Sequence, residues 1–221
     1  MSQIELNAAD GHTLTAHLAQ PEGEPRGGLV VVQEIFGVND HIRDVTDRFA
    51  AEGYRAVAPA LFDRIRPGIE LGYEPENIDE GRALVGELDP DELLRDLAAA
   101  VEHVSAAGKV GTVGYCFGGA VVWVMAGRLD GLSCAVSYYG SRIPRYAELA
   151  PKVPVLMHVG RRDASFPIET VREIAGRYED VEHHEYDADH GFNCDRRGSY
   201  DAPSAATALQ RTLGFFRQHV G

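Results

Sequence analysis

The sequence reads as an α/β chain, with a mostly parallel central sheet, helices on both faces and an N-terminal hairpin. Three observations predict it. Short apolar, β-branched runs alternate with stretches of helical periodicity along most of the 221 residues, the mark of successive β-α-β units. Two alternating segments at 4–6 and 13–19 flank Asp10-Gly11, a strong hairpin signal. A strand-like run at 110–115 passes through a glycine-rich turn directly into an apolar helical run at 117–128.

The remaining elements follow in order. Residues 28–34 are apolar enough for a strand buried on both faces. Asn39 or Asp40 is placed to cap a helix running to about Glu52. A strand at 54–58 stops at Pro59, and 60–89 is the least regular stretch, with a helix expected at 79–88. A helix at 93–105 precedes the strand at 110–115. Beyond the helix at 117–128 come strands at 132–139 and 153–159, a helix at 168–178, a strand at 181–186 and a closing helix at 205–219. With no linker or repeat, one domain over 1–221 is expected.

Composition bounds the function. The chain is 44% hydrophobic with 24 Gly and 3 Cys, too apolar for disorder and too poor in cysteine for a disulfide scaffold. Twenty-one Lys and Arg against 34 Asp and Glu give a net charge of −13, without the basic footprint that nucleic acid or anionic membrane requires. The opening Met1-Ser2-Gln3-Ile4 has no basic or strongly apolar leader, and the most apolar run, 120–126, is too short to span a bilayer. An odd cysteine count without C-x-x-C spacing fits reduced thiols. A cytoplasmic protein without nucleic-acid or membrane partners is expected, as a monomer or small homo-oligomer.

In parallel α/β sheets, ligand chemistry gathers past the carboxyl ends of the strands. Gly114-Tyr115-Cys116-Phe117-Gly118 is G-x-C-x-G at such a point, the nucleophile-elbow pattern with cysteine in the serine position. With 3 Cys and 24 Gly in the chain, composition alone gives about 0.04 such matches. A dinucleotide loop needs glycine where Cys116 stands, since a side chain there blocks the pyrophosphate. A buried structural cysteine at a tight strand–helix crossing stays open as the bland alternative. A cysteine at a helix N-terminus is favoured as thiolate.

Downstream, Asp163 follows the strand at 153–159 and His190 follows the strand at 181–186, the chain order nucleophile, acid, histidine. His190 is placed to act as base and Asp163 to orient its ring. His103, His158, His183, His184 and His219 lie within helices or strands and read as structural. Asp187 and Asp189 read as turn carboxylates. A metal site with His190 lacks further ligands at defined spacing, so neither metal nor cofactor is expected.

Gln33-Glu34-Ile35-Phe36-Gly37, the Gly114–Gly119 motif, Tyr138-Tyr139-Gly140, Gly160-x-x-Asp163 and His190-Gly191-Phe192 together resemble the dienelactone hydrolase family, whose named activity is carboxymethylenebutenolidase. The likeness runs from about residue 27 to 216 and implies an α/β-hydrolase fold. It implies a Cys116–His190–Asp163 triad and an oxyanion hole from the backbone N–H groups of Phe117 and Ile35. It also implies that Glu34 is the carboxylate that pairs with an arginine at rest and helps form the thiolate when substrate arrives. A strand-end carboxylate paired with a local arginine remains the plainer reading of Glu34. Tyr138 is expected near the substrate.

The chain departs from the family's best-known members at the arginines that grip a substrate carboxylate. Cys194 stands four residues after His190, where they carry one arginine, with Arg196 and Arg197 just beyond. An ungapped count puts Ile78 at the second position; Arg82 is one helical turn later, and Arg64 or Arg66 are alternatives. Cys194 reads as a bystander. The expectation is a hydrolase of small esters or lactones. A broad esterase or thioesterase is one rival, and a non-catalytic thiol redox sensor on the same fold is another.

Overall fold

The alternating residues at the start form the expected hairpin. In the computed structural model, which describes residues 2–221, β1 (Ser2–Asn7) pairs antiparallel with β2 (Thr13–Ala19), from Ser2↔Leu18 to Asn7↔Thr13. Gly11 turns the chain at φ +88°, a conformation open to glycine. Met1, part of the opening segment read above, lies outside the described residues. With β3 (Gly28–Val32), β4 (Arg55–Pro59), β5 (Val110–Tyr115), β6 (Leu132–Tyr138), β7 (Val155–Gly160) and β8 (Val181–Tyr186), the described residues make an eight-stranded sheet in the order β1-β2-β4-β3-β5-β6-β7-β8. The chain divides into two compact units at Val110/Gly111.

In the first unit, β3 (Gly28–Val32) is buried throughout and runs parallel to β4 (Arg55–Pro59), while β2 meets β4 antiparallel. β3 ends before Gln33, whose side chain accepts the Leu61 N–H at 3.1 Å, so the strand is two residues shorter than the 28–34 expected. Helix α1 (Asp40–Ala51) is capped by Asn39, which accepts the Ile42 N–H. In the irregular stretch, α2 (Pro75–Glu87) starts four residues before the sequence reading places it, because Pro75 sits in the first turn, where its missing N–H costs nothing. Helix α3 (Pro90–Ser105) starts in the same way, with Asp89 accepting from Asp91 and Glu92. Buried Asp96 on α3 holds Arg64 at 2.7 Å, and Arg64 reaches Asp10 at 2.9 Å. The irregular stretch is thereby tied to a helix and to the hairpin turn.

In the second unit, β5 (Val110–Tyr115), α4 (Phe117–Arg128), β6 (Leu132–Tyr138), β7 (Val155–Gly160), α5 (Ile168–Ala175), β8 (Val181–Tyr186) and α6 (Ala202–His219) follow in order. β6, β7 and β8 are parallel, with Tyr138 opposite His158 and Gly160 opposite Tyr186. Their carboxyl ends are thereby brought level. Helix α6 begins three residues earlier than its apolar pattern, because Asp201 caps it by accepting the Ser204 N–H. No helix among the described residues is long and apolar enough to cross a membrane.

Candidate active site

The junction of β5 and α4 bends sharply enough to leave Cys116 at φ +54° and ψ −110°, a backbone conformation that costs of order 1–3 kcal/mol for a non-glycine residue. Glycine makes the bend possible: a Cβ at Gly114 would lie 2.1 Å from the Gly118 carbonyl oxygen. The Cys116 N–H donates to the Tyr138 carbonyl at 3.0 Å, fixing the bend to the end of β6. Phe117 opens α4, so its N–H is one of the four that have no intrahelical acceptor.

His190, in the loop after β8, brings Nε2 to 3.1 Å from Cys116 Sγ. Its Nδ1 lies 2.7 Å from Asp163 Oδ2 in the loop after β7. The Asp163 side chain is 1% exposed and that of His190 20% exposed, so the line runs from a buried carboxylate to a thiol at the surface of the site. Burial opposes charge on His190. Hydrogen bonds to Asp163 and Cys116, with the charges of both, outweigh it and hold the ring at about 10. Burial likewise pushes Asp163 up. The His190 contact and the hydrogen bonds from Ser165 pull it further down, leaving it below the ordinary carboxylate value.

Ser165 is a residue that sequence reasoning missed. Its N–H donates to Asp163 Oδ1 at 2.9 Å, its hydroxyl donates to the same oxygen, and its Oγ lies 3.2 Å from His190 Nδ1. The only local signal is the Asp-x-Ser turn itself, too common to single out. The His190 loop is shaped by Gly191 at φ +79°, where a Cβ would lie 2.5 Å from Arg197 Nη1. Glycine lets that guanidinium approach the backbone beside the base.

The three thiols differ in setting. Cys134 is buried within β6 and pushed up to about 12 by that burial, and Cys194 is also buried. Cys116 is the partly exposed one. Three of the histidines read as structural have local partners: His184 meets Glu182 at 2.8 Å, His183 meets Glu185 at 3.5 Å, and His103 meets Arg55 at 3.0 Å. Asp187 pairs with Arg162, and Asp189 accepts the His190 N–H.

Tyr138 corrects an expectation. Its side chain is wholly buried and its hydroxyl bonds Thr212 at 2.7 Å, so the ring and hydroxyl are turned into the core and not toward solvent. Arg82 stands exposed on α2 beside Asp79, and Arg196 is exposed beside Asp195. Arg142, after β6, has its guanidinium carbon 6.0 Å from the centre of the Phe117 ring. In the first unit, Glu34 is fully buried and Ile35 nearly so, both in the loop after β3.

Comparison with known proteins places the chain. The model of the dienelactone hydrolase family matches residues 14–220. A relative from Synechocystis sp. is 38% identical over 229 residues, covering 94% of this chain and 92% of its own. The carboxymethylenebutenolidase of Pseudomonas putida is 33% identical over 223 residues, covering 96% and 94%. A crystal structure from Klebsiella pneumoniae superposes with a TM-score of 0.82 at 32% identity, covering 99% of this chain and 100% of that one. The chain therefore belongs to the dienelactone hydrolase family.

Proposed function

We propose that the chain hydrolyses small esters or lactones through a thioester formed on Cys116. The observation that carries the reading is the unbroken line Cys116 Sγ, His190, Asp163, with contacts of 3.1 and 2.7 Å, set at a strained strand–helix bend. A ring held at about 10 is protonated at neutral pH, so it donates at both nitrogens, one toward Asp163 and the other toward Cys116 Sγ.

The thiolate attacks the carbonyl carbon, and the π electrons move onto the oxygen. The Phe117 N–H donates to that oxygen, joined in the family's scheme by the Ile35 N–H. Collapse of the adduct expels the alcohol or enolate, which takes the proton from His190. The now neutral ring removes a proton from water, and the resulting hydroxide attacks the thioester. The acid leaves and the imidazolium–thiolate pair returns. Thiolate is a good nucleophile whose histidine partner gives up its proton reluctantly, which suits acidic leaving groups such as enolates. Glu34 keeps the part that the resemblance gives it, assisting thiolate formation. A substrate carboxylate would be met by Arg197, beside Gly191, or Arg142, against Phe117, ahead of the exposed Arg82 and Arg196.

Cys116→Ala is expected to lower p-nitrophenyl acetate hydrolysis by roughly 10³-fold or more. Unchanged turnover would overturn the nucleophile. A panel of lactones and esters with and without a free carboxylate then separates a lactone enzyme from a broad esterase. Equal rates across the panel favour the broad esterase. Stoichiometric alkylation of Cys116 without turnover of any of them favours a thiol sensor.

A further inference from the structure

The mechanism above makes no use of His158, yet it is a fully buried titratable side chain in the middle of β7. Its Nδ1 lies 2.8 Å from the Tyr186 hydroxyl and its Nε2 2.9 Å from Thr212 Oγ1. Thr212 Oγ1 is in turn 2.7 Å from the Tyr138 hydroxyl. At the other end, Arg211 donates to the Tyr186 hydroxyl at 3.1 Å. Burial, helped by neighbouring His184 and the positive charge of Arg211, keeps His158 neutral. A neutral imidazole donates at one nitrogen and accepts at the other, so it joins the two hydroxyls into one continuous line. Burying four polar side chains is costly unless each is bonded, and here each one is.

This line ends on the residue that anchors the nucleophile. Tyr138 packs its ring 4.5 Å from His158, and its carbonyl accepts the Cys116 N–H at 3.0 Å. The next residue, Tyr139, donates its N–H to the His158 carbonyl at 2.8 Å. Tyr139 sits at φ +39° and puts its ring edge-on to His190 at 5.2 Å. The 138–139 segment therefore meets both partners: its backbone holds the thiol-bearing bend and the Tyr139 ring packs against the base. We infer that His158, Thr212 and Tyr138 form a positioning set, which holds the Tyr138 carbonyl and thereby the Cys116 bend in register with His190. The inference rests on the proposed role of Cys116, and it assigns α6 a part in the site through Thr212.

Thr212→Val removes the hydroxyl at nearly constant shape, and Thr212→Ser keeps it. Thr212→Val is expected to lower kcat for p-nitrophenyl acetate about tenfold, with KM within about twofold of wild type. It should slow alkylation of Cys116 by iodoacetamide to a similar degree, counted per titrated thiol. Thr212→Ser should restore both to within about twofold of wild type. If Thr212→Val is too unstable to assay, Tyr138→Phe removes the hydroxyl at the far end of the line and makes the same test. A wild-type alkylation rate per thiol in Thr212→Val or Tyr138→Phe overturns the inference, as does an equal loss in Thr212→Ser. Alkylation needs no substrate, so its outcome is independent of whether Cys116→Ala abolishes hydrolysis, which tests the functional reading alone.

Discussion

At the scale of single residues, electrostatics around His190 decides the chemistry. The ring is held at about 10 against the cost of its burial, chiefly by Asp163 and Cys116. Since this value is above the ordinary one, the folded ring stays protonated through neutral pH and loses its proton only as pH rises through about 10. Activity that depends on the imidazolium should then persist into alkaline solution. Asp163→Asn removes the negative partner, so the alkaline fall in kcat/KM should move down by about one pH unit or more, with kcat lower by roughly 10²–10⁴-fold. A pH–rate profile of the variant checks both, and an unmoved alkaline limb would contradict the assigned source of the shift. The meeting of Cys116, Asp163 and His190 is legible in the sequence because each lies in a short motif just after a strand. Ser165 and Thr212 are not, since a hydroxyl two residues from a carboxylate, or one on a helix 54 residues from His158, has no local pattern. Tyr138 is legible as part of a motif, but the direction of its side chain depends on strand register.

At the scale of elements, the elbow is built by glycine at a crossing of strand and helix. Gly114→Ala would place a methyl group 2.1 Å from the Gly118 carbonyl oxygen, backbone that has no room to yield. We expect a loss of about 3 kcal/mol of stability, read by urea unfolding. A stable, fully active Gly114→Ala would contradict the close crossing. Elements bounded by sharp local signals, such as β5, α4 and β8, keep the bounds that the sequence predicts. Those that drift do so where capping overrides apolar pattern. Helix α2 begins at Pro75 and α6 at Ala202, and in each the proline-containing first turn carries no apolar spacing to read. The fold of 60–74 is illegible because the Arg64, Asp96 and Asp10 cluster that ties it down joins distant parts of the chain.

At the scale of the whole molecule, a net charge of −13 sets how an anionic substrate arrives. A carboxylate-bearing lactone is repelled at long range and attracted only near local arginines. Added salt screens the long-range field over a Debye length of about 10 Å at 0.1 M. Its kcat/KM should therefore rise as salt goes from low to moderate concentration, while that of the neutral methyl ester stays flat. A fall for the anionic substrate would mean that the local arginines dominate its approach. The parallel sheet itself is legible, since alternation of apolar runs and helices leaves few other arrangements, and the level strand ends of β6, β7 and β8 are what gather motifs spaced far apart in sequence.

The central claim is that Cys116 carries the acyl group during turnover. Rapid acid quenching of the protein during p-nitrophenyl acetate hydrolysis, followed by peptide mass mapping, tests it most directly. The expected result is an acetyl group on the Cys116 peptide, present in Asp163→Asn as well and released by hydroxylamine. An acetyl group formed at another residue, with Cys116 unmodified, would contradict it.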